Sequence, residues 1–134
     1  MKYRELLQEG TEQLKKAAIA DANVDAAYLL EYVCGIDRTH YLLCMTETVP
    51  PQMAARYEEA IALRATHQPL QYITGEQEFM GLSFQVSPEV LIPRQDTETL
   101  VEQTQRVLKD DDRILDMCTG SGCILISLLH ENKT

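Results

Sequence analysis

Arg113-Ile114-Leu115-Asp116-Met117, then Cys118-Thr119-Gly120-Ser121-Gly122, then Cys123 and the run Ile124 to Leu129 form the stretch that decides the fold. The first piece is short and apolar, with Ile114 and Leu115 at its centre, and predicts a buried strand of a parallel sheet. The second holds Gly120 and Gly122, which let the chain turn sharply and let a ligand approach the backbone. The third is nearly all apolar and predicts a helix whose first N–H groups lack intrahelical partners. Strand, glycine turn, helix is the opening unit of a doubly wound α/β domain. Asp116 falls at the strand's carboxyl end, where such sheets bind ligands.

The turn is not a phosphate cradle of the common kinds. Leu125 stands where a third glycine would complete a dinucleotide fingerprint, and no Walker motif occurs. On its own, two closely spaced glycines allow a nucleoside ligand or a tight turn with no chemical role.

Reading outward from the turn, Asp110-Asp111-Asp112 is a solvated corner preceded by a helix with Leu100, Val101, Val107 and Leu108 on its apolar face. Asp96 is its expected cap, and Glu98 sits in the first turn, where a negative charge favours the helix dipole. Farther back, Phe79, Leu82, Phe84 and Val86, then Val90, Leu91 and Ile92, predict a hairpin. Ser87-Pro88-Glu89 is its expected turn, and Pro93 ends its second strand.

Near Pro69 the pattern changes period. Residues 1–68 carry helical spacing and no strand alternation. From Asp25 on, Ala26, Leu29, Leu30 and Val33 line one helix face, with Asp21 and Asn23 as possible caps and Gly35 as the stop. Leu6, Leu7 and Leu14 predict a first helix interrupted at Gly10-Thr11. Asp37-Arg38-Thr39 caps a short helix through Leu42 and Leu43. Pro50-Pro51 restarts the chain as a helix bearing Met53, Tyr57, Ala60, Ile61 and Arg64 on one face. Together these stripes predict a small helical bundle. Tyr28, Tyr32, Tyr41 and Tyr57 are either a binding surface or packed rings with their hydroxyls at the rim.

A chain of 134 residues suffices for one domain or two small ones. Its net charge of −9 argues against a general nucleic-acid or anionic-membrane binder. No stretch has the length of a membrane span, and the polar start Met1-Lys2-Tyr3-Arg4-Glu5 does not read as a signal peptide, so the cytoplasm is the expected compartment. Cys34, Cys44, Cys118 and Cys123 form no C-x-x-C pair, and His40, His67 and His130 stand alone, so reduced thiols are expected and no metal.

The strand ending in Asp116 with its two-glycine turn resembles motif I of S-adenosylmethionine-dependent methyltransferases. With Pro69-Leu70-Gln71-Tyr72-Ile73-Thr74-Gly75, Glu78-Phe79-Met80-Gly81-Leu82 and Val90-Leu91-Ile92-Pro93-Arg94-Gln95-Asp96-Thr97-Glu98, the chain resembles the release-factor glutamine methyltransferase family (PrmC/HemK). Order and spacing agree over essentially the whole chain. The Ile-Pro-Arg-x-Asp-Thr-Glu block is the most distinctive piece.

The resemblance implies a helical substrate-recognition domain over 1–68 and a hairpin linker with the start of a Rossmann-like methyltransferase domain over 69–134, that domain being incomplete. It implies methyl transfer from S-adenosylmethionine to the glutamine amide of the Gly-Gly-Gln motif in peptide chain release factors. It implies that Cys118, Thr119, Gly120, Ser121 and Gly122 lie against the cofactor and that Asp116 fixes the strand end. Phe79 is implied as active-site wall or as a hairpin core ring, and Arg94 as wall or as the ion-pair partner of Asp96 or Glu98. Cys118 departs from the glycine usual in the family.

The family's Asn-Pro-Pro-Tyr loop, which aligns the amide, does not occur in these 134 residues, so no catalytic residue is assigned. An acidic residue for the ribose is expected roughly 20 residues after the turn. Glu131 comes too early and reads as surface. These residues alone are therefore expected neither to methylate nor to hold the cofactor tightly. Exposed apolar surface is expected to cause self-association or loss of order beyond Asp110. Two other classes stay open: a nucleic-acid amino-methyltransferase, and a non-catalytic module that binds a release factor.

Overall fold

A computed structural model of the chain describes residues 1–131, of Glu131 the backbone alone. It divides into two compact units, Met1–Thr74 and Gly75–Thr134.

The first unit is helical: α1 (Tyr3–Lys16), α2 (Ala22–Cys34), α3 (Arg38–Cys44), α4 (Pro51–Ala65) and α5 (Leu70–Thr74). Its ends follow local rules. Gly35 takes the left-handed conformation at φ 64° and ends α2. Asp37 caps α3 by accepting the His40 N–H at 2.7 Å, and Pro51 opens α4. Asp21 precedes α2 but makes no side-chain cap bond. Leu6, Leu14, Leu29, Leu30, Tyr57 and Ile61 are the heart of the core. Leu70 and Ile73 of α5 pack on it, so the stretch from Pro69 to Thr74, grouped by its period with the second half, lies with the bundle.

Gly10 does not interrupt α1. The helix runs through it because Tyr57 of α4 lies directly over Gly10, and a side chain there would collide with the ring. The Tyr57 hydroxyl donates to the Ala26 carbonyl of α2 at 3.1 Å, so one ring ties three helices together. Thr11 stays helical by donating its hydroxyl to the Leu7 carbonyl at 2.8 Å. A second tie joins α2 to α4: Arg64 Nε lies 2.9 Å from Asp25 Oδ2, and Arg64 also donates to the Gln68 carbonyl at 3.0 Å.

The second unit holds β1 (Glu76–Phe79), β2 (Leu82–Gln85), α6 (Gln95–Val107) and α7 (Cys123–Glu131). The strands pair antiparallel, with Phe79 opposite Leu82 and Glu76 opposite Gln85. The hairpin turn is Met80-Gly81, not Ser87-Pro88-Glu89, and residues 90–92 form no strand. Both turn residues have positive φ, 50° and 74°, the conformation that matches the twist of a two-residue hairpin. Phe79 and Phe84 meet edge to face, their centroids 6.2 Å apart, above Val101 of α6 and Cys123 and Leu128 of α7.

Three further expectations are corrected here. Arg94, not Asp96, is the residue at the N-cap of α6, and Asp96 sits in the first turn. Of that helix's expected apolar face, Val101 is fully buried while Leu100 and Val107 are exposed. Residues 113–117 form no strand and no parallel sheet, with Leu115 84% and Met117 78% exposed. A parallel strand needs neighbours for its backbone groups, and among the described residues none pairs with this one. Beyond Asp110 the chain nevertheless forms the regular helix α7.

Candidate functional site

The glycine turn is built by three residues with left-handed backbone: Cys118 at φ 58°, Gly120 at φ 60° and Gly122 at φ 80°. Asp116 braces it by accepting the Thr119 hydroxyl at 2.8 Å. The Gly122 N–H closes it onto the Thr119 carbonyl at 3.0 Å, and the Gly122 carbonyl accepts the Ile126 N–H in the first turn of α7. So the carboxylate acts on the turn itself, and with no strand at 113–117 it has no strand end to fix.

Cys118, Thr119 and Gly120 are exposed. Where a side chain would project from Gly120 the space is open, with no atom within 4 Å. Gly122 has a packing reason to be glycine, since a Cβ would lie 3.1 Å from Ile126. Behind the turn, the Ser121 hydroxyl is buried without a hydrogen-bond partner among the described residues. Cys123 anchors the helix start in the core that holds Phe79. Backbone donors at a helix start, reached through an open glycine edge, can hold a polar or weakly anionic group of a small ligand.

Phe79 is 1% exposed, a hairpin core ring held against Phe84. Arg94 is exposed, and among the described residues no ion pair joins it to Asp96 or Glu98. Glu98 does something the sequence did not announce: its carboxylate accepts the Met80 N–H at 3.2 Å and ties the hairpin tip to α6. Val101, one helical turn on, receives the rings of the same hairpin. An acidic residue in a first turn reads as a dipole partner, so only the hairpin's position reveals the second role.

The four cysteines are free, Cys118 exposed and Cys44 and Cys123 buried. Burial pushes the Cys34 thiol up, and the nearby Cys44 adds to the shift. No group of three or more His, Cys, Asp or Glu side chains is placed to hold a metal among the described residues. No helix among them is long and apolar enough to cross a membrane. The Glu131 side chain, read as surface, lies outside the described residues.

Residues 5–75, the whole of the helical bundle but its ends, match the PrmC N-terminal domain family. The chain belongs to the PrmC family. A release factor glutamine methyltransferase of Moorella thermoacetica is 42% identical over 132 residues, covering 97% of this chain and 47% of the relative. One of Geobacter sulfurreducens is 38% identical over 128 residues, covering 96% and 45%. One of Deinococcus radiodurans is 39% identical over 132 residues, covering 96% and 47%. This PrmC-family chain thus spans about half the length of the curated relatives it matches, and those relatives are methyltransferases by name.

Proposed function

We propose that this chain is the release-factor-binding and cofactor-entry part of a protein-glutamine methyltransferase. The observation that carries the reading is the similarity running along 97% of the chain, through bundle, hairpin and glycine turn alike. In this reading residues 1–68 bind a peptide chain release factor in the cytoplasm, and Cys118, Thr119, Gly120, Ser121 and Gly122 line the methionine end of S-adenosylmethionine. The open edge at Gly120 and the helix start behind it suit that end of the cofactor, which needs close backbone approach and no phosphate cradle. When bound, the cofactor supplies an electrophilic methyl on a sulfonium sulfur.

The chain's own residues position and enclose. Asp116 holds Thr119 and so the shape of the turn. Glu98 holds the hairpin tip beside Phe79, whose buried ring packs the hairpin, and the exposed Arg94 is the residue left for the active-site wall. An amide nitrogen is a poor nucleophile because its lone pair is delocalised, so alignment carries the reaction, and positioning of that kind contributes about 7–11 kcal/mol. The aligning Asn-Pro-Pro-Tyr loop is not among these 134 residues, so we infer that they bind release factor without methylating it.

The test is calorimetric titration of the chain with a release factor, alongside transfer of labelled methyl from S-adenosylmethionine. Saturable binding with no transfer is expected. Absence of release-factor binding overturns the role of the bundle, and turnover by these residues alone overturns the division of labour.

A further inference from the structure

Helices α1 and α4 lie side by side and are held at both ends. At their starts the Val49 N–H donates to the Met1 carbonyl at 2.9 Å, and Lys2 bridges to Thr48. At their far ends the His67 ring bonds to the Ala17 carbonyl at 2.8 Å. The two helices therefore run the same way, with little freedom to part. Between the ties Gly10 brings no side chain, and a groove of about 320 Å³ opens there. Its floor is Leu6, Tyr57 and Ile61, all buried, with the Gly10 backbone. Its rims are exposed and polar, Glu9 and Gln13 on α1 and Glu58 on α4. No cation lines it, and neither carboxylate has an ion-pair or hydrogen-bond partner among the described residues.

We propose that this groove is the docking site for an arginine side chain of a protein partner. An apolar floor between negative rims matches a side chain with an apolar stem and a charged head. The stem lies over Leu6 and Ile61, and the guanidinium lies between Glu9 and Glu58. Its planar fork of donors can serve both carboxylates and the Gln13 amide oxygen together. An ammonium is a compact, more strongly hydrated charge and serves them less well. Carboxylates sharing one groove repel each other, and a cation between them turns that repulsion into attraction. The ties at both ends form the groove in advance, so the arginine meets a site that needs no rearrangement. Complementarity of this kind fixes which partner docks and in what register. That the arginine belongs to a release factor rests on the function proposed above; the fit of the groove to the side chain does not.

The first test is an amide NMR titration of the chain with N-acetyl-arginine methylamide, with the uncharged citrulline derivative of the same shape as control. Saturable shifts of the Glu9, Gly10, Gln13 and Glu58 amides are expected, the citrulline derivative binding roughly five-fold or more weakly. Glu9→Gln with Glu58→Gln should weaken the arginine derivative by a similar factor. Glu47→Gln with Glu59→Gln changes the net charge equally at exposed positions outside the groove and should not. All of these positions are exposed, so folding is unaffected, which far-UV circular dichroism verifies. The second test is calorimetry with a release factor, which the groove pair of substitutions should weaken roughly ten-fold more than the control pair. Shifts that are absent, scattered over the chain or equal for both derivatives overturn the groove as an arginine site. A release factor bound equally by both variants overturns its use for that partner and leaves the proposed function standing. A release factor that fails to bind overturns that function, and the titration still decides the groove.

Discussion

Replacing Gly10 by alanine puts a methyl group into the ring of Tyr57. The new carbon would lie 2.9 Å from both Cε1 and Cζ and closer still to the hydroxyl oxygen. The ring has no room to yield, since Tyr57 is 1% exposed and its hydroxyl is held by the Ala26 carbonyl. Overpacking of this kind costs about 1–3 kcal/mol. Pushing the hydroxyl off its acceptor adds about 1–3 kcal/mol, because a buried donor is then unsatisfied. Alanine's better helix propensity returns about 1 kcal/mol. The expected net effect is a loss of about 3 kcal/mol. Urea unfolding followed by tyrosine fluorescence measures it cleanly. The chain has no tryptophan, and all six tyrosines lie between Tyr3 and Tyr72, inside the helical unit. With a slope of about 1 kcal/mol per molar urea for so small a unit, the midpoint should fall by roughly 2–3 M. In a Tyr57→Phe background the same substitution should cost less, since the nearest atom is gone. An unchanged or raised midpoint, or strict additivity of the two substitutions, would refute the steric account.

Three further outcomes follow from the same structure. Burial pushes the Tyr57 phenol well above its ordinary value, aided by Cys34 and Tyr41, so its contribution to stability is full below about pH 10 and is lost as pH rises past it. Circular dichroism of urea unfolding should show stability falling by up to about 1.4 kcal/mol per pH unit above that point, with a shallower fall in Tyr57→Phe. Cys118→Gly should relieve a side chain held at φ 58°, stabilise the turn by about 1 kcal/mol, and slow exchange of the α7 amides that open with the turn roughly five-fold; faster exchange would contradict it. Glu98→Ala should speed exchange of the Met80 amide roughly five-fold or more, with Glu98→Gln between the two, and an unchanged rate would show that the 3.2 Å contact holds nothing.

Much of the fold was legible because much of it is local. The Gly35 stop, the Asp37 cap, the Pro51 restart and the stripe of Leu29, Leu30 and Val33 are each decided within a few residues, and each stands where the sequence placed it. The candidate turn was legible for the same reason, since Gly120 and Gly122 carry their conformational meaning with them. What misled was every feature whose meaning depends on a distant partner. Gly10 reads as a helix breaker until Tyr57 is laid over it. Ser87-Pro88-Glu89 looks a better turn than Met80-Gly81, yet only the latter sets Phe79 and Phe84 on one face above Val101.

The sequence by itself therefore determined where helices begin and end, where the chain changes character, and to which family it is similar, because backbone preference and side-chain period act over one or two turns. Tertiary structure alone decided that Tyr57 binds three helices, that Glu98 grips the hairpin tip, and that residues 113–117 lie open rather than in a sheet. A strand is a relation between two pieces of chain, and no single piece can state it.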